Sequence, residues 1–262
     1  MKLIMKYNKI LKNKNYYIRV GGMATPLGVY LTTGNIRAGS NDFSLILTGI
    51  IMITILIIST KLVEFLYSIF IFLPNSVEEF LILILFLFFL RNSSLSGYHA
   101  SEHMTVNAIE NKLPLHPSII SHMPRFHPRC GTNFVVILIG AQLLLNVMKN
   151  LIPSSFSIPL EIHIIYLILI IFIFISFIYL SYLPLGKFLQ NYFTTQKPNL
   201  SQIYSGINAG KELLEKYQLN PNYKAPFLKQ IWNIGILQVI LGWFLIIGLI
   251  MLLEFFFNIS IL

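Results

Sequence analysis

Residues 43–60 read FSLILTGIIMITILIIST, eighteen positions without a single charge, and four further apolar runs follow at about 79–90, 134–152, 162–183 and 231–257. A helix needs about 20 apolar residues to cross a bilayer, within a range of about 17–25. Inside hydrocarbon every backbone polar group must be satisfied internally, which a helix achieves by itself. The runs therefore predict a mainly α, polytopic helical membrane protein with about five transmembrane helices. The run 79–90 is short by this rule. The first run continues less cleanly to residue 73, so LVEFLYSIFIFL and EEFLILILFLFFL read as the two sides of an outer turn at Leu73-Pro74-Asn75-Ser76. Lys61 and Glu64 are i and i+3 and can pair on one helical face; a solvated break at the membrane edge explains them equally well.

Composition supports this class. The chain has 262 residues, of which 55% are hydrophobic and only 11% charged, against roughly 25% charged in an average soluble domain. The first forty residues hold neither the apolar core nor the small-residue cleavage site of a secretory signal, so the N-terminus is expected to persist. Cys130 is the only cysteine. No intramolecular disulfide can form, and the thiol is expected on the reducing side.

Basic residues predict the orientation, because short cytoplasmic loops gather Lys and Arg. With the N-terminus inside, residues 1–42, 91–132 and 184–230 hold seventeen of the nineteen basic residues. Lys61 and Lys149 remain for the other side. The expected protein sits in the cell membrane as a multi-pass chain, with its N-terminus and motif loops cytoplasmic and its C-terminus outside. Its segments are then a cytoplasmic N-terminal piece (1–42), a transmembrane hairpin (43–91), a cytoplasmic motif segment (92–133), a second transmembrane hairpin (134–183), a cytoplasmic segment (184–230) and a C-terminal transmembrane helix (231–262). The net charge of +9 is thus first a topology signal, and its basic inner face also attracts anionic lipid headgroups. No nucleic-acid recognition motif accompanies it, so the expected partners are the lipid bilayer and a membrane protein.

Two cytoplasmic segments have recognisable local structure. In 16–40 the β-rich patches YYIRV and VYLTT, with Gly21-Gly22, Gly28 and Thr33-Gly34-Asn35 as turns, predict a small β-hairpin. Between Asn199 and Tyr217, Leu200, Ile203, Ile207, Leu213 and Leu214 recur near helical spacing, with Asn199 or Ser201 as N-cap and Asn220-Pro221 as the stop. That is an amphipathic cytoplasmic helix.

The chemistry gathers in 91–133. In SGYHASEH, His99 and His103 are i and i+4, so a helix projects both imidazoles from one face. Two nitrogens so placed can reach one divalent ion at about 2.0–2.1 Å. With Glu102 between them the pattern is His-x-x-Glu-His, the inverted zinc-hydrolase signature whose glutamate serves as general base on water. Two interfacial histidines with no ion between them are the plainer alternative. Farther on, RFHPRCGT places His127 and Cys130 three apart, with Pro128 fixing the backbone between them. Thiolate and imidazole together suit Zn²⁺; a small buried cysteine is the alternative. Arg125 and Arg129 are either anion clamps for a substrate, through their planar forks, or membrane-flanking cations. His116 and His122 sit in a Pro-punctuated loop and read as solvated or capping residues. Glu110 is a spare carboxylate on the helical face of Glu102 and His103, able to ligate or to orient a histidine.

These motifs resemble one family, the YqhQ-like membrane proteins, a domain of unknown function and predicted metal-dependent enzyme. The resemblance lies in YHASEHMTVNAIENKLPL, RFHPRCGTNF and LQNYFTTQKPNLSQIYSGINA, with VGGMATPLGV as a weaker N-terminal counterpart, and it covers most of residues 20–215. Positions matching the family pattern are Tyr98, His99, Glu102, His103, Arg125, His127, Pro128, Arg129, Cys130, Gly131, Thr132, Thr194, Thr195 and Pro198. The chain departs from it at Thr25-Pro26-Leu27 and around Phe177-Ile178, where the family carries glutamates, and in the extra span 231–257.

Two functional expectations follow. In one, a metal-dependent membrane hydrolase works at the cytoplasmic membrane surface, with His99, His103, His127 and Cys130 as ligands of a divalent metal, Zn²⁺ foremost. Glu102 is its catalytic base, and Arg125, Arg129 and Tyr98 bind substrate. In the other, a non-catalytic scaffold or membrane-protein biogenesis factor docks a partner on its basic cytoplasmic face, and the same cluster is a polar knot or a closed structural metal site.

Overall fold

A computed structural model describes residues 18–69, 77–151 and 160–258. In chain order the elements are β1 (Gly21–Thr25), β2 (Gly28–Thr32), β3 (Arg37–Gly39), α1 (Asp42–Ile69), α2 (Glu78–Asn92), α3 (Ser94–Glu110) and α4 (Pro117–Ile120). There follow α5 (Asn133–Leu151), α6 (Leu160–Leu189) with a π-helical turn at Gln190–Thr194, α7 (Leu200–Leu219), α8 (Phe227–Ile234) and α9 (Ile236–Phe257). They form two compact units: one draws on the chain up to Arg125 and again from Phe193, the other is Phe126–Tyr192.

The first unit contains an antiparallel sheet in the order β1-β2-β3. Gly21 pairs with Thr32 and Thr25 with Gly28, which makes Pro26-Leu27 the two-residue turn of a β-hairpin. The expected hairpin is present, extended by β3, but its first strand is displaced. The patch YYIRV predicted a strand before Gly21-Gly22, whereas the strand runs through those glycines. Tyr16 and Tyr17 lie outside the described residues; Ile18 and Val20 point into the core instead. Space explains the shift, since a Cβ at Gly22 would stand 2.7 Å from Glu102 Cγ and 2.8 Å from its Oε1. Only glycine lets the strand pass that carboxylate.

Helices α3 and α7 cover the sheet. As expected, Asn199 caps α7: its side chain accepts from the Gln202 N–H while Gln202 reaches back to the Asn199 N–H, a reciprocal capping box. The apolar side of α7, with Ile203, Ile207, Leu213 and Leu214, packs with Val29, Leu31, Ala100, Met104 and Ile109 into one core. Leu213 and Leu214 are fully buried, each worth roughly 1.5–3 kcal/mol of transfer free energy.

Among the described residues three helices are long and apolar enough to cross a membrane, Asp42–Ile69, Ile164–Thr194 and Ile236–Phe257, and a fourth span arises if the bent pair α2 and α3 is taken as one. Sequence reading expected five. The fifteen-residue α2 is short, and α3 departs from it by 76° at Ser93. In α5 the described apolar stretch is Asn133–Gln142. The Lys61–Glu64 pair does form, at 2.9 Å.

Within the first unit α1 and α9 touch backbone to backbone. A Cβ at Gly49 would stand 2.0 Å from Val239 O, and one at Gly242 2.2 Å from Ile46 O. Small residues permit such approaches between helices in lipid. The N-terminal ends of the two helices are tied together, because Asp42 accepts from Arg37, from Gln238 Nε2 at 3.1 Å and from Trp232 Nε1 at 3.4 Å.

Candidate functional site

Helical periodicity in α3 brings the His99 and His103 rings together, with centroids 4.3 Å apart at 62°. Glu102, between them in sequence, is only 5% exposed and His103 1%. A Glu102 carboxylate oxygen lies 3.5 Å from His103 Nε2. Burial of an ionised carboxylate is costly unless positive charge or hydrogen bonds compensate it. Tyr98 is partly buried and packs on the apolar core.

The backbone sets the protonation pattern of both imidazoles. His99 Nδ1 faces the Thr194 carbonyl at 3.1 Å, and His103 Nδ1 faces the Arg125 carbonyl. A carbonyl oxygen only accepts, so each Nδ1 carries a hydrogen, which leaves Nε2 as the nitrogen that can ligate when the ring is neutral. Orientation of a ligating histidine by a carbonyl on its other nitrogen is the usual outer shell of metal sites. The pair thus fits a divalent ion bound through Nε2.

Two arginines brace the strap that carries the Thr194 carbonyl. Arg91 donates to the Thr195 carbonyl at 3.0 Å and Arg125 to the same oxygen at 3.4 Å. Thr194 and Thr195 are buried.

In the second unit His127 is buried, and its backbone is clamped by Gln190. The Gln190 Oε1 accepts from the His127 N–H at 2.8 Å, and its Nε2 donates to the His127 carbonyl at 3.2 Å and to Asn133 Oδ1 at 2.8 Å. Cys130 donates from Sγ to Thr132 Oγ1 at 3.2 Å and accepts from the Thr132 N–H at 3.4 Å. Burial pushes its thiol pKa up, outweighing those two contacts. Arg129 is exposed. The imidazoles of α3 and this thiol are donors of the kind that hold zinc.

Other candidates are placed elsewhere. His116 caps α4, its side chain accepting from the Ser118 N–H, and His122 Nδ1 faces the Ser118 carbonyl at 2.7 Å; both are exposed, as their loop setting predicted. Glu110 accepts from the Val20 N–H at 3.4 Å, holding the lead-in to β1. Sequence reading missed Gly22, Arg91 and Gln190. The last had a visible signal, an amide at the end of a long, mostly apolar helix, which a membrane helix does not place idly. Gly22 had none, because a glycine that makes room reads like a glycine that turns.

No curated protein and no solved structure matches the chain significantly. One family model does match, over residues 32–216, and it spans the paired histidines, the His-Pro-Arg-Cys segment, the Thr-Thr strap and nearly all of α7. On that match the chain belongs to the family described as protein of unknown function DUF1385.

Proposed function

We propose that the protein is a membrane-embedded, metal-dependent hydrolase whose site lies at the cytoplasmic membrane surface. One observation carries this reading: His99 and His103, with ring centroids 4.3 Å apart, each commit Nδ1 to a backbone carbonyl and so present Nε2 for ligation. His127 and Cys130 are assigned as the remaining donors on their chemistry and on the spacing of HPRC. Zn²⁺ bound there supplies Lewis acidity. Glu102 holds its carboxylate beside His103 Nε2 and takes the proton released by attacking water onto its Oε2. Arg125 donates to the strap through Nη1. Arg125 and exposed Arg129 are assigned to an anionic substrate through their planar guanidinium forks, with Tyr98 flanking the first histidine.

Metal analysis of detergent-purified protein tests this. About one zinc per chain is expected, lost in the His99→Ala, His103→Ala double variant and retained in Glu102→Gln. Clean, folded wild-type protein without metal sinks the proposal.

The 3.5 Å approach of Glu102 Oε2 to His103 Nε2 favours a second reading, in which a proton occupies that gap and the cluster is a closed polar knot of a scaffold or biogenesis factor. Under it Glu102→Gln destabilises the fold, whereas the hydrolase reading expects melting within a few degrees of wild type.

A further inference from the structure

Helix α8 wears its apolar side chains outward. Phe227 and Leu228 are 74% and 78% exposed, and Trp232 is 40% exposed. Its two amide residues are instead held by the protein backbone: buried Asn233 donates to the Gly34 and Asn35 carbonyls at 3.0 Å each, and Gln230 donates to the Ala225 carbonyl at 2.7 Å. A helix facing water shows the opposite arrangement.

Three observations indicate what covers that face. A single residue, Gly235 with φ 90°, joins α8 to α9, one of the candidate spans. Trp232 bonds to Asp42 at the first turn of α1, another candidate span, so α8 is held at the level where both spans begin. Lys224 and Lys229, both exposed, bracket Phe227 and Leu228.

We propose that α8 is an interfacial anchor, lying in the boundary between headgroups and acyl chains of the membrane that α9 crosses. Phe227 and Leu228 enter the acyl region, Trp232 sits at the level that amphipathic rings prefer, and Lys224 and Lys229 meet anionic phospholipid headgroups. The inference rests on the membrane placement proposed above. It adds a lipid-binding surface distinct from the histidine pair.

The chain has two tryptophans, Trp232 and Trp243, which makes the test direct. Trp243→Phe leaves Trp232 as the sole reporter, and Trp232→Phe leaves Trp243 within α9. Each is reconstituted into phosphatidylcholine–phosphatidylglycerol vesicles whose acyl chains carry bromine either near the carbonyl or near the chain end. Trp232 should be quenched at least twofold more by the shallow bromine than by the deep one, and poorly by aqueous iodide. Phe227→Asp with Leu228→Asp should abolish the lipid quenching. If Trp232 responds to iodide and to neither lipid while Trp243 responds to bromine, the anchor is refuted and water or a protein partner covers α8. Loss of lipid quenching at both tryptophans overturns the membrane placement itself. Should Trp243→Phe fail to fold, a bimane fluorophore on Leu228→Cys reads the same depth.

Discussion

At the scale of single residues, the site depends on contacts that no side-chain motif announces. Glu102 can stand beside His103 because β1 has no side chain at Gly22, where a Cβ would also meet the Tyr30 carbonyl at 2.7 Å. Alanine there must push the strand off β2 or the carboxylate off its histidine. Overpacking of this kind costs about 1–3 kcal/mol. Gly22→Ala is therefore expected to lower the melting temperature and to weaken metal retention, whereas Gly21→Ala, whose Cβ meets nothing within 4 Å, should leave retention unchanged. Equal loss in both variants would show that the contact with Glu102 does not matter. Thr194 and Arg125 act through carbonyls, so their side chains advertise nothing of the role their backbones play in fixing the two imidazoles.

Elements were legible to the extent that their signals were local. The α7 cap was readable because a capping box is written within four residues, and Asn199→Ala should cost about 1 kcal/mol, seen as a lower melting temperature with unchanged helix content. The pair His99 and His103 was readable for the same reason, since i and i+4 fix a shared face once a helix is granted. The first strand was misplaced because its position is set by a contact 80 residues away in sequence, between Gly22 and Glu102. Span boundaries failed in another way. The apolar run of α2 has the right composition, yet fifteen residues are too few to cross, and the turn at Ser93 redirects the chain into the helix that carries the site. The clamp of Gln190 on the His127 backbone was invisible because partners 63 residues apart share no local pattern.

For the whole molecule, the direction of α1 and α9 restricts the number of crossings. Asp42 at the start of α1 bonds to Gln238 in the first turn of α9 and to Trp232 of α8 just before it, while Gly49 and Gly242 meet one to two turns further along. The two helices therefore run parallel, and if both span, they enter from the same side. The chain between them must recross an odd number of times, so the total is three or five and never four. Counting the bent pair α2 and α3 as a span then requires α5 to cross as well. Single cysteines in a Cys130→Ser background distinguish the cases, using exposed positions Ser68 in the last turn of α1, Asn222 before α8 and Asn258 after α9. An impermeant maleimide applied outside intact cells should modify Ser68→Cys and Asn258→Cys and spare Asn222→Cys until the membrane is opened, if the basic residues of 184–230 hold that segment inside as the charge distribution predicts. An even number of spans would instead put Ser68→Cys and Asn222→Cys on one face and Asn258→Cys on the other. That result would also contradict the parallel packing at Gly49 and Gly242, because two helices entering from opposite faces cannot bring Asp42 to both Gln238 and Trp232.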